Sequence, residues 1–146
     1  MTKTYRADLH VHSRYSNSKR DPHLWKKYEL NGGVKFLYVG RVSREKNLQL
    51  LADAFIELTD AGFSSNLIIV GDGAFRNDLE RMLQGYPVLF TGFLSGDELS
   101  AVYASADVFV FPSATDTFGN VVLEAQASGL PVIVSDEGGP KELMID

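Results

Sequence analysis

From Val34 onward, short apolar runs of strand length alternate with amphipathic stretches of helical period, five strands in succession, and each switch is punctuated by Gly, Pro, Asn, Asp or Ser. Val34–Val39 reads as the first strand. Leu48, Leu51, Ala52, Phe55 and Leu58 then recur at three- and four-residue spacing, which predicts a helix ending near Gly62. Asn66–Val70 is the second strand. After the turn Gly71-Asp-Gly73, a helix carries Phe75, Leu79, Met82 and Leu83 on one side, with Gly85 placed to end it. Val88–Thr91 is a short third strand. Ser95-Gly-Asp-Glu98 has the spacing of a capping box and opens the next helix, and a strand over Asp107–Phe111 stops at Pro112. Val132–Val134 is the fifth strand, and Lys141–Asp146 begins a further helical turn.

Strands apolar on both faces and joined by helices predict a parallel sheet covered on both sides, a single α/β domain of the doubly wound, Rossmann-like class. With the five strands in the order 3-2-1-4-5, the first and fourth are neighbours at a topological switch point. The crevice beyond their C-terminal ends is then the expected ligand site. The first strand ends at Gly40 and delivers Arg41, with Lys46 just beyond, the two expected to begin the first helix, and the fourth leads through Pro112 into the segment from Asp116 to Glu124. Two cations, a helix N-terminus and two carboxylates are thus expected in one cleft.

Their chemistry follows from type and place. Thr117, Phe118, Gly119 and Asn120 form a helix start whose free N–H groups and positive dipole end suit an anion, with Gly119 permitting close approach. Arg41 grips two oxygens at once and Lys46 supplies a mobile point charge, a pair suited to a diphosphate and to stabilising it as a leaving group. The plainer reading of both is surface cations paired with Glu45. Glu124 stands in an otherwise mostly apolar run, Val121–Ala127, so its helix is expected to be largely buried and the carboxylate to need donors, from a ligand or from a structural partner. Asp116 also has the ordinary role of a turn residue, and Gly71-Asp-Gly73 lacks the spacing and lysine of a phosphate loop.

Composition narrows the picture. The 146 residues suit one domain with a core, and the absence of cysteine removes disulfides and thiolate metal sites. No apolar run is long enough for a membrane helix and no leader pattern opens the chain, so a soluble cytoplasmic protein is expected. The net charge of -5 conceals an asymmetry: residues 1–30 hold seven Lys or Arg against three Asp or Glu. The acidic remainder makes nucleic acid a poor partner. His10, His12 and His23 all lie in the basic part, and His10 and His12, alternating along a strand, have the spacing of a metal pair. Two ligands do not complete a site, and no metal or cofactor is expected.

Several ordered motifs together resemble the C-terminal, nucleotide-sugar-binding half of retaining glycosyltransferases of family 4, of the GT-B fold. They are Tyr38-Val-Gly-Arg41 with Lys46-Asn47, Val70-Gly-Asp-Gly73, Phe90-Thr-Gly92, Ala106-Asp-Val-Phe-Val-Phe-Pro-Ser113, and Asp116-Thr-Phe-Gly119 leading to Glu124-Ala-Gln-Ala-Ser-Gly-Leu-Pro-Val132. The resemblance implies donor binding by Gly40, Arg41, Lys46, Thr117, Phe118, Gly119, Asn120 and Glu124. Arg41 and Lys46 would act on the diphosphate, Glu124 on the ribose hydroxyls, and Arg41, Lys46 and Asp116 would form the catalytic group. Asp116 departs from the family pattern, in which two glutamates enclose seven residues, and is one methylene shorter. The family's acceptor domain has no counterpart here, so a second chain supplying it is an implied partner, and the chain alone is expected to bind a nucleoside diphosphate sugar without efficient transfer. Residues 7–13, Ala-Asp-Leu-His-Val-His-Ser, resemble the first motif of PHP-family metal phosphoesterases. The resulting division is residues 1–17 as a PHP-like remnant or tail, 18–33 as a lead-in arm whose Trp25, Tyr28 and Leu30 pack on the domain, and 34–146 as the donor-binding domain. The alternatives are a non-catalytic nucleotide-sugar sensor and a metal phosphoesterase centred on His10 and His12.

Overall fold

The computed structural model describes residues 5–8, 20–21, 23–30, 32–113 and 120–135. Its strands are β1 (Tyr5–Asp8), β2 (Val34–Val39), β3 (Ser65–Val70), β4 (Val88–Gly92), β5 (Val108–Phe111) and β6 (Val132–Ser135). The helices are α1 (Leu48–Asp60), α2 (Arg76–Met82), α3 (Gly96–Ser105) and α4 (Asn120–Ala127). The strands form one sheet in the order β1-β6-β5-β2-β3-β4. The five strands expected from the sequence are β2 to β6, all parallel in the expected order, and β2 and β5 are neighbours at the switch point.

Tyr5–Asp8 adds a sixth strand, antiparallel to β6, with Tyr5 opposite Ser135 and Asp8 opposite Val132. Periodicity within the chain gives no cue to this pairing, because a four-residue edge strand is selected by the neighbour it finds.

The central strand β3 is buried at all six positions, as a strand sandwiched between helical layers must be. Leu48, Ala52 and Phe55 of α1, Phe75 and Leu79 around α2, and Val102 and Tyr103 of α3 complete the core with Leu37, Phe109, Val132 and Val134 of the sheet. Burying side chains of this size stabilises the fold by about 1.5–3 kcal/mol each. The arm docks where expected: a 3-10 turn at Leu24–Tyr28 presents Trp25, 7% exposed, whose Nε1 donates to the Ser105 carbonyl at 3.0 Å, and Tyr28 and Leu30 pack beside it.

The opposite end of the sheet from the switch-point crevice carries its own polar knot. Asp107 accepts from the Lys35 amide at 2.8 Å and pairs with Arg20 at 2.6 Å, and the buried Lys35 ammonium donates to the Gly33 carbonyl at 2.8 Å. Burial lowers the Lys35 pKa, against the raising effect of Asp107.

Two local expectations are corrected. Ser95 occupies the N-cap of α3 in extended geometry but makes no side-chain capping bond, so the capping-box spacing marks the helix start without forming the box. Arg41 and Lys46 do not begin α1. They lie in a loop containing a 3-10 turn, Arg44–Lys46, and Asn47 in the left-handed region (φ 61°) turns the chain into α1.

Candidate functional site

The crevice beyond β2 and β3 is built from backbone. Beyond the strand ends the two chains stay zipped: the Gly40 amide donates to the Val70 carbonyl at 3.0 Å, Val42 to Asp72 at 3.0 Å and Phe75 to Val42 at 3.0 Å. Gly71 makes this possible, since at φ 132° a Cβ would lie 1.9 Å from the Gly40 carbonyl oxygen. Gly73 is similarly placed, its missing Cβ 2.2 Å from the Val42 oxygen. The turn Gly71-Asp-Gly73, which spacing alone presents as a passive connection, therefore sets how closely the two loops of the crevice floor approach.

Above this floor lies a cleft of ≈ 500 Å³. Gly40 and Arg41 line it from the end of β2, Gly71 and Asp72 from β3, Phe93 to Gly96 from the segment after β4, and Val121 and Glu124 from α4. Elements distant in sequence thus bring Arg41 and Glu124 to one cavity, as expected, although it opens beyond β2 and β3 and takes no lining residue from β5. Asp72 is occupied by Arg76 at 3.2 Å, and Arg76 also pairs with Glu80 at 2.8 Å. Arg81 pairs with Asp78, so these charges form a solvated helix face.

The two principal groups are each held by a tyrosine. The Tyr38 hydroxyl donates to the Arg41 carbonyl at 2.7 Å, fixing the backbone from which the guanidinium springs. The Tyr103 hydroxyl donates to Glu124 Oε2 at 3.0 Å. Burial, and then the Glu124 charge, push the Tyr103 hydroxyl far above its ordinary pKa, so it remains a donor. Glu45, beside Arg41 and Lys46, is held below the usual carboxylate range chiefly by its own backbone amide, then by the Ser43 hydroxyl, with the two cations adding attraction. The plainer reading of Arg41 and Lys46 as partners of Glu45 is therefore realised in part.

Glu124 itself requires a correction. α4 turns Val122, Ala125 and Gln126 inward, while Glu124 is exposed and Leu123 is 48% exposed. The apolar composition of the run suggested burial, but the helical period directs Glu124 to the cleft side. Asn120 is exposed at the start of α4, and Lys46 is half-buried in the loop beyond Arg41, outside the cleft's lining among the described residues. Asp116, Thr117, Phe118 and Gly119, with His10 and His12, lie outside the described residues.

Sequence reasoning passed over Phe93, 81% exposed at the cleft, and Leu94 beside it, since an apolar pair after a strand ordinarily signals core. Tyr103 was legible only as one more apolar position of α3. Among the described residues, no cluster of three or more His, Cys, Asp or Glu is placed to hold a metal ion, and no helix is long and apolar enough to cross a membrane.

The family model "Glycosyl transferases group 1" matches residues 33–146. The chain belongs to the group 1 glycosyl transferases. Among relatives of this family, a sulfoquinovosyl transferase of Arabidopsis thaliana is 46% identical over 108 residues, covering 74% of this chain and 20% of the relative. A GDP-mannose-dependent alpha-mannosyltransferase of Mycolicibacterium smegmatis is 42% identical over 127 residues, covering 87% of this chain and 32% of the relative. This glycosyl transferase chain therefore spans between a fifth and a third of the length of those two proteins. In fold it is similar to the C-terminal domain of a group 1 glycosyl transferase from Francisella tularensis, with a TM-score of 0.76 at 22% identity, covering 93% of this chain and 75% of that one. These neighbours support the GT-B, Rossmann-like assignment. The resemblance of residues 7–13 to a phosphoesterase motif is not borne out: the family match begins at residue 33.

Proposed function

We propose that the cleft binds a nucleoside diphosphate sugar and constitutes the donor half of a retaining glycosyltransferase. The observation that carries this reading is the convergence of Gly40, Arg41 and Glu124 on one cavity beyond the C-terminal ends of β2 and β3, to which α4, the helix after β5, contributes Glu124. Arg41, with Lys46 reaching in from its loop and the start of α4 opposite, would neutralise the diphosphate. Glu124 would accept hydrogen bonds from the ribose hydroxyls, and the exposed Phe93 with Leu94 offers an apolar shelf for the base. Thr117, Phe118, Gly119 and Asn120 would close on the phosphates, with Asp116 facing the sugar. As an acceptor hydroxyl attacks, the bond from the anomeric carbon to the diphosphate breaks, and the same cations stabilise the charge that builds on the departing oxygen. No metal is required for that role.

The names of the two sequence relatives, one GDP-mannose-dependent and both transferases of glycosyl groups, support a sugar-nucleotide donor. Acceptor contacts would come from a complementary chain or domain, and the proposed setting is the cytoplasm. Calorimetric titration with UDP-, GDP- and ADP-sugars in chelator tests the reading. Arg41→Ala and Glu124→Ala are each expected to weaken the one donor that binds by tenfold or more, on the order of one charge-assisted hydrogen bond. A donor bound equally by both variants would sink the assignment.

A further inference from the structure

The two tyrosines that hold the cleft's charged walls are joined. Tyr103 of α3 packs on Phe109 with ring centroids 6.0 Å apart, Phe109 stacks on Phe111 at 6.0 Å, and Phe111 stacks on Tyr38 at 5.8 Å. One end of this row places a hydroxyl on the Arg41 carbonyl and the other places one on the Glu124 carboxylate. Tyr103 is 3% exposed and Tyr38 is fully buried, so both hydroxyls emerge from packed rings with little freedom of their own.

An exposed glutamate on a helix ordinarily samples several rotamers, and binding a ligand in one of them costs the entropy of the rest. Here one carboxylate oxygen is tied to a buried donor, and among the described residues no other hydrogen bond to the carboxylate occupies its remaining acceptor positions. We propose that Tyr103 is a positioning residue: its hydroxyl presets Glu124 to receive a vicinal diol, and the aromatic row fixes that carboxylate relative to Arg41. The identity of the diol as the ribose of a nucleotide rests on the donor-binding reading above. The preset itself does not.

Tyr103→Phe retains the ring and removes only the hydroxyl. The first readout needs no ligand: three-bond couplings of the Glu124 side chain by NMR. In the parent protein they should show one dominant rotamer, and in the variant they should average. Averaged couplings in the parent, or couplings unchanged by the substitution, would overturn the proposal. The second readout is calorimetry with the nucleoside diphosphate that binds best and with its 2′,3′-dideoxy counterpart. The variant should lose about tenfold in affinity for the ribonucleotide and nothing for the dideoxy compound. Combining Tyr103→Phe with Glu124→Gln should add little further loss. Equal loss for both nucleotides would mean a general structural defect and would refute positioning. If the couplings behave as expected while no nucleotide binds, the positioning role stands and the donor-binding reading falls.

Discussion

Replacing Gly71 by Ala should be among the most damaging single-methyl additions to this domain. The new Cβ would lie 1.9 Å from the Gly40 carbonyl oxygen, against the roughly 3.3 Å at which carbon and oxygen rest comfortably, so backbone must move by about 1.4 Å. Neither side yields as a flexible side chain would, because Gly40 donates to Val70 at 3.0 Å and Gly71 donates to Gly92 at 2.8 Å. Losing those two bonds costs about 1 kcal/mol each, and holding alanine at φ 132° adds about 1–3 kcal/mol. The expected loss is about 3–5 kcal/mol, a large fraction of the roughly 5–15 kcal/mol that stabilises a domain. The urea midpoint, followed by circular dichroism, should fall by about 1.5–2.5 M for a urea slope of about 2 kcal/mol/M. Gly62→Ala is the control: its φ is 92° but nothing lies within 4 Å of the added methyl, so strain alone should cost about 1–2 kcal/mol. Equal midpoints for the two variants would refute the argument that backbone approach, rather than dihedral preference, demands glycine at position 71.

Three further outcomes are expected. Trp25→Phe removes the bond to the Ser105 carbonyl and part of a buried ring, and should cost about 1–3 kcal/mol in thermal unfolding while loosening the arm to proteases. Because the Tyr103 pKa is raised in the folded state, the unfolded chain releases this proton near pH 10 while the folded one keeps it. Stability from this residue is therefore whole below pH 10 and falls above it, by at most about 1.4 kcal/mol per pH unit. Urea unfolding of the parent and Tyr103→Phe at pH 9 and 11 should show the gap between them shrinking; Lys35, whose lowered pKa acts in the opposite direction, is common to both and cancels. Asp107→Ala strips the Lys35 amide and Arg20 of their acceptor and should cost about 1–3 kcal/mol by denaturant titration, with little effect on ligand affinity at the other end of the strands.

The parallel strands were legible because strands such as Ser65–Val70, buried on both faces, write their environment as an unbroken apolar run. Their order, 3-2-1-4-5, is a premise supplied by the doubly wound class, and on that premise Arg41 and Glu124 fall together. What failed were statements about which way one residue faces. The run Val121–Ala127 is apolar in composition, yet its outward face carries Leu123 and Glu124 while Gln126 turns inward. Tyr103 shows the converse, since its ring obeys the core pattern of α3 and its hydroxyl serves the cleft through a contact across 21 residues of sequence. Local period reports a ring's burial, but the destination of its polar tip depends on a neighbouring helix.

The pairing of β1 with β6 bears on how the chain reaches this shape. Tyr5 meets Ser135, so β1 is separated in sequence from its partner β6 by the four other strands of the sheet and cannot pair until β6 is in place. Closing so long a loop is entropically slow, and the remaining strands can assemble without it. Only when Val132–Ser135 has joined the sheet does β1 find an edge to complete, so this seam should form after the parallel strands it completes and open before them under stress.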